Sequence, residues 1–286
     1  MLKGKQPLTE RPGSYLKDVD LEAERAKLEK ETGEKIDDLR RSHVGSTGKP
    51  RYSPGLLRSL VLLPGFMCDQ DLWTDMVPDL EALGSLHYGN VYEDSSLEGM
   101  AERVLADAPD RFVLVGFSMG GFVARVLTLM APERVAGVAF VASSARGYSD
   151  EERARRQAGY RPGDRPPPAA GAVTTAMGLH PDREADPVLL DRLRRMQRRL
   201  GPEVRKRQAA LVRRDGYADL ERITCPSLVV ACRQDRLRTF AETERMAQHL
   251  PRSSFAILED CGHMAPLERP KELAALLAAW LDRTGL

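Results

Sequence analysis

The sequence predicts an α/β fold, a mostly parallel sheet flanked by helices, with a helical insertion late in the chain. Three observations carry that expectation. Short, uniformly apolar runs alternate with longer stretches of helical spacing, as in strands buried on both faces and joined by crossover helices. One junction, Gly116-Phe117-Ser118-Met119-Gly120, is a G-x-S-x-G between such a run and a helix. Two later runs end in loops that carry Asp235 and His263.

Residues 1–55 are a polar extension. Asp20 to Arg41 is charge-dense and helical in propensity, with Asp20 as N-cap and favourable i,i+4 pairs Glu31/Lys35 and Asp37/Arg41. Its apolar stripe (Leu21, Leu28, Ile36, Leu39) is thin, so a solvated helix is the plain reading and a docking helix the functional one. Gly45 to Pro54 reads as a linker, and the sheet is expected to start directly at Leu60.

The first part of the core is expected over 56–144. Leu60 to Leu63 is a buried strand that opens into Pro64-Gly65-Phe66-Met67-Cys68. Leu72, Trp73, Met76, Val77 and Leu80 are helically spaced, Ser85 to Asn90 is a weak strand, and Leu97 to Ala108 is a helix. Phe112 to Val115 is the strand that feeds the G-x-S-x-G. The helix beyond it carries Phe122, Val123, Val126, Leu127 and Met130 on one face. In such a turn the middle residue is held in strained geometry, and Gly116 and Gly120 must be tiny because side chains would collide. A glycine-rich turn with an incidental serine is the bland alternative. Val135 to Val141 is the next strand.

The α/β rhythm breaks over 145–222, which holds more Lys and Arg than Asp and Glu and a Pro-rich stretch from Pro162 to Pro168. Helices are expected over Pro187–Leu200 and Pro202–Arg214, with Arg192, Arg195 and Arg199 on one face and Arg194 and Arg198 beside them. The second part of the core, 223–286, supplies strands at Ser227–Cys232 and Ser254–Leu258 and helices at Thr239–Leu250 and Glu268–Leu281.

Nucleophile, acid and base thus follow in the order Ser118, Asp235, His263, each at the C-terminal end of a predicted strand. From about Ser59 to Leu286 the chain resembles the α/β-hydrolase superfamily. The resemblance implies Ser118 as nucleophile, His263 in the loop Cys261-Gly262-His263-Met264 as base, and Asp235 as the acid that orients the imidazole. Asp260 and Glu259 flank His263 on its own loop and suit that role less. His43, His87, His180 and His249 sit in no motif and read as structural or surface residues.

The oxyanion hole implied is the backbone N–H of Met119 with that of Phe66. Many relatives carry His-Gly where this chain has Pro64-Gly65, which removes one donor and leaves the Phe66 N–H available. The side chains of Phe66 and Met67, with Cys68 and Phe117, are candidates to line the acyl pocket, and 145–222 corresponds to the family's cap.

Composition bounds the rest. A chain of 286 residues with formal net charge +1 has no bias toward nucleic acid or membrane. The N-terminus lacks an apolar signal region, and no long apolar span occurs, so a cytoplasmic protein is expected. Four cysteines without CxxC spacing read as reduced thiols, with no metal pattern.

The expected activity is hydrolysis of a small-molecule carboxylic ester through an acyl-enzyme, without metal or cofactor. The elbow and short basic cap look most like small bacterial-type esterases, including those that cleave acyl-carrier methyl esters. An acidic acyl-carrier protein at the basic cap is the partner to consider, against ordinary solvated arginines. A carbon–carbon hydrolase or lyase and a perhydrolase remain as alternatives, although one such branch places Arg where this chain has Phe122. A receptor-like binder retaining the triad is the rival from another class. Dehalogenases, which need a carboxylate nucleophile, are excluded by Ser118.

Overall fold

The computed structural model describes residues 58–152 and 176–286. The expected N-terminal helix and linker, the 1–55 extension and the Pro162–Pro168 break lie outside the described residues.

Six strands form one parallel sheet in the order β2-β1-β3-β4-β5-β6. They are β1 (Ser59–Leu63), β2 (Ser85–Tyr88), β3 (Phe112–Phe117), β4 (Val135–Val141), β5 (Ser227–Cys232) and β6 (Ser253–Leu258). β3 and β5 are buried along their whole length, as their unbroken apolar runs require when helices cover both faces. β2 is partly exposed on the sheet edge, which explains its weaker pattern. Strand order reverses between β1 and β3, so the crevice beyond their C-terminal ends is where an α/β sheet places its site.

Helices among the described residues include α1 (Val77–Glu81), α2 (Leu97–Asp107), α3 (Met119–Met130), α4 (Pro187–Ala209), α5 (Tyr217–Leu220), α6 (Phe240–His249), α7 (Ala265–Glu268) and α8 (Pro270–Thr284). Three differ from expectation, two for a local reason and one for a long-range one. The helix read through Leu72 to Leu80 is a 3₁₀ turn, Gln70–Met76, followed by α1. Pro78 has no N–H to continue an α-ladder, and the Val77 N–H bonds three residues back to the Thr74 carbonyl. The helix expected over Glu268–Leu281 is split at Arg269, which leaves the helical region at φ −139°, ψ 53° before Pro270.

α4 kinks at Gly201 (φ 74°), which separates the two helical stretches expected there. Its second half stops at Ala209 instead of Arg214. Beyond it the Arg213 carbonyl accepts the Tyr148 N–H and the Gly216 N–H donates to the Ala145 carbonyl, so pairing across the fold outweighs helix propensity.

The core is built on Trp73, Trp280, Phe112, Phe117, Phe122 and Phe140, all fully buried. Among the described residues no helix is long and apolar enough to cross a membrane.

Candidate active site

Backbone strain gathers at the C-terminal edge of the sheet. Met67, Ser118, Ala142 and Asp260 have φ of 55°, 51°, 45° and 48°, and they follow β1, β3, β4 and β6. Ser118 is held there through its own backbone atoms. Its N–H donates to the Val141 carbonyl at 2.9 Å, and its carbonyl accepts the Ser143 hydroxyl at 2.9 Å and the Gly121 N–H at 3.0 Å. A Cβ on Gly116 would lie 2.7 Å from the Gly120 carbonyl oxygen, and one on Gly120 would lie 2.3 Å from the Leu63 carbonyl oxygen. The glycines flanking Ser118 therefore leave no space for side chains.

Asp235 follows β5 and His263 follows β6, and adjacent strands bring them to Ser118. His263 Nε2 lies 2.8 Å from Ser118 Oγ, and His263 Nδ1 lies 2.7 Å from Asp235 Oδ2. All three side chains are buried. Asp235 Oδ1 accepts the N–H groups of Leu237 and Arg238 at 2.7 and 2.8 Å. A carboxylate only accepts, so Nδ1 carries the proton and Nε2 presents its lone pair to the serine hydroxyl. The Phe117 ring lies 5.2 Å from the imidazole, and a Cβ on Gly65 would lie 2.8 Å from that ring. Gly65 thus lets the loop after β1 close onto the elbow.

The two candidate oxyanion donors differ in how their N–H groups come to be unpaired. Met119 opens α3, so its N–H has no acceptor within the helix. The Phe66 N–H has no partner among the described residues. Met67 and Cys68 are buried, whereas the Phe66 ring is partly exposed with Arg205 5.8 Å from its centroid. Burial pushes the Cys68 thiol up to about 12, so it is no thiolate at neutral pH. The chain's four cysteines are all free. Among the described residues no group of three His, Cys, Asp or Glu is placed to hold a metal.

Residues 60–276 match the model of the Alpha/beta hydrolase family. The chain belongs to that family. A pimeloyl-[acyl-carrier protein] methyl ester esterase of Edwardsiella ictaluri is 43% identical over 95 residues, 30% of this chain and 37% of that protein. The chain therefore spans little more than a third of that relative's length. The esterase of the same name from Aromatoleum aromaticum is 27% identical over 248 residues, 76% of this chain and 96% of the relative. Among solved structures, the malate-bound thermophilic esterase from Thermogutta terrifontis superposes with a TM-score of 0.70 at 25% identity, covering 80% of this chain and 91% of that one.

Within this α/β hydrolase two further groups act on the site loops. Neither carried a motif. Glu268, with a fully buried side chain, accepts the Met264 N–H at 3.2 Å through Oε1, and Oε2 accepts the His180 N–H at 2.8 Å and Arg183 Nε at 3.1 Å. It ties the His263 loop to the segment before α4. Gln208 accepts the Met67 N–H. A polar residue on a charge-rich helix gives no sign of burial until topology places it.

The arginines of α4 correct an expectation. Arg192 is largely buried, and Arg199, although exposed like Arg195, is paired with carboxylates of the core instead of standing free. Arg199 binds Asp69 through two nitrogens at 2.7 and 2.9 Å and Asp71 at 2.9 Å. Arg192 holds Asp71 and Asp75. Burial pulls the Asp71 carboxyl upward, but the Arg199 hydrogen bond and the charges of Arg192 and Arg199 bring it below its ordinary value. Its folded pKa being depressed, Asp71 stabilises the fold above its unfolded pKa, and that contribution is lost as pH falls through the folded value.

Arg199→Glu would set a third carboxylate against Asp69 and Asp71. We expect a loss of about 1–2 kcal/mol, read as a melting temperature lower by about 2–6 °C. The deficit should shrink in acid, as Asp71 loses its charge below its ordinary range. A melting temperature matching the parent's at pH 7 would show that the seam carries no stability.

Proposed function

We propose that this chain is a serine hydrolase that cleaves a carboxylic ester through an acyl-enzyme on Ser118. The observation that supports the reading is the buried, unbroken line from Asp235 through His263 to Ser118, with links of 2.7 and 2.8 Å. In this reading His263 Nε2 takes the Ser118 proton as Oγ attacks the ester carbonyl. The Asp235 carboxylate balances the imidazolium through the Nδ1 proton, and the N–H groups of Met119 and Phe66 receive the oxyanion. The imidazolium then protonates the departing alkoxide, leaving an ester on Ser118. A water molecule repeats the sequence in the second half, releasing the acid and restoring the hydroxyl.

In this reading residues 176–222 serve as part of a cap over this centre. The substrate class we favour is an acyl ester borne on an acidic acyl-carrier protein, the kind of substrate named for the relatives from Edwardsiella ictaluri and Aromatoleum aromaticum. With Arg192 and Arg199 engaged on the core, the basic groups left for such a partner on α4 include the exposed Arg194, Arg198 and Lys206.

The test has two arms. A chain-length series of nitrophenyl esters should show multiple turnover; a single slow turnover would instead indicate a binding protein. Arg194→Glu combined with Arg198→Glu should leave nitrophenyl ester rates alone and slow an acyl-carrier methyl ester by about tenfold at low salt, an effect screened at high salt. Equal rates on the carrier ester at both salts would remove the carrier from the proposal and leave the esterase.

A further inference from the structure

The loop after β1 presents two consecutive N–H groups, those of Phe66 and Met67. They lie in a tight turn closed by the Cys68 N–H on the Gly65 carbonyl at 3.1 Å. Met67 occupies the third turn position at φ 55°, a conformation more readily taken by glycine or asparagine. Met67 is buried, so its N–H requires a partner.

That partner comes from 141 residues along the chain. Gln208, on the second half of α4, is 3% exposed, and its Oε1 accepts the Met67 N–H at 2.8 Å. Its Nε2 donates to the Val91 carbonyl at 3.1 Å. A donor at one end and an acceptor at the other admit only one orientation of the amide. The surroundings reinforce it. Arg207 Nε donates to the Tyr92 carbonyl at 2.9 Å, and the Tyr92 hydroxyl donates to the Cys68 carbonyl at 3.4 Å.

We propose that Gln208 is a positioning residue for the oxyanion hole. By engaging the Met67 N–H it fixes the Gly65–Cys68 turn, so that the neighbouring Phe66 N–H stays free and aimed, with that of Met119, at the developing oxyanion. The role rests on the acyl-transfer reading above. Without Gln208 a buried N–H is left unpaired in a turn that already holds a strained residue. The turn then relaxes toward another acceptor and carries the Phe66 N–H with it. Such a shift weakens a contact made in the transition state and leaves ground-state binding alone, so kcat falls while KM holds.

Three variants separate this from a role in merely holding α4. Gln208→Met keeps the volume without the polar atoms, Gln208→Asn withdraws the amide by one methylene, and Gln208→Glu keeps an acceptor for Met67. Active sites are counted by titration with a fluorophosphonate, and nitrophenyl ester turnover is expressed per titrated site. For the Met and Asn variants we expect kcat to fall by about tenfold to a hundredfold, with KM within about threefold. That is short of the 10²–10³ lost when an oxyanion donor is removed outright. Affinity for a trifluoromethyl ketone, whose serine adduct carries an oxyanion, should fall by the same factor, and Gln208→Glu, which keeps the Met67 acceptor but loses the donor to the Val91 carbonyl, should recover part of both.

If kcat per titrated site and ketone affinity match the parent protein in whichever of the Met and Asn variants folds, the proposal is overturned, whatever happens to the melting temperature. A parent protein that forms no ketone adduct would instead overturn the acyl-transfer reading itself.

Discussion

Ser118→Ala is expected to abolish ester turnover, by on the order of 10⁶ in kcat, without disturbing the fold. In the proposed mechanism the three residues act as a unit, so the base and its orienting acid would have nothing to activate once Oγ is gone. The unchanged fold follows from how Ser118 is held. Its bonds to Val141, Ser143 and Gly121 all use its backbone atoms, which alanine keeps. Both residues carry a Cβ, so the cost of φ 51° is the same in each. The one side-chain bond lost is that to His263 Nε2. The measurement pairs steady-state kinetics on a nitrophenyl ester with fluorophosphonate labelling and a thermal melt. Comparable labelling of the Ala variant would mean that another residue is the nucleophile.

What is legible in the sequence divides by distance along the chain. β4 and β5 begin and end where their apolar runs do, at Val135–Val141 and Ser227–Cys232, because a strand buried on both faces leaves no other composition open. The elbow is legible because strand, small residues, serine and helix are all local. The helix ends at Val77 and Arg269 are each set by a single proline, and a periodicity count gives that too little weight.

The cross-chain bonds are not legible. Arg199 meets Asp69 across 130 residues, Gln208 meets Met67 across 141, and Glu268 meets the His180 N–H across 88. Helical spacing says which residues share a face, and only the packed topology says what that face meets. For that reason Arg192 and Arg199 read as free surface cations in the sequence and instead pair with Asp69, Asp71 and Asp75.

The choice of carboxylate is the second large effect, and the structure separates the two candidates by their partners. Asp260 is turned toward His180, Arg183 and Arg269: its Oδ1 lies 3.3 Å from His180 Nε2, and its Oδ2 faces both arginines. Asp235 is committed on both oxygens, Oδ2 to His263 Nδ1 and Oδ1 to two backbone N–H groups. That commitment dictates how an asparagine substituted for Asp235 would sit. The N–H groups of Leu237 and Arg238 demand an oxygen at the Oδ1 position, so the NH₂ of the substituted amide must face the imidazole. Nδ1 then has to accept, its proton moves to Nε2, and Nε2 can no longer take the proton of Ser118. Asp235→Asn is therefore expected to lower kcat by about 10⁴ with the fold intact, through the wrong tautomer. Asp260→Asn should stay within about threefold of the parent, since it touches neither the imidazole of His263 nor the serine. Steady-state kinetics of the two variants on one nitrophenyl ester, with melting curves alongside, decide the matter: a crippled Asp260→Asn beside an active Asp235→Asn would move the orienting role to the loop that carries His263.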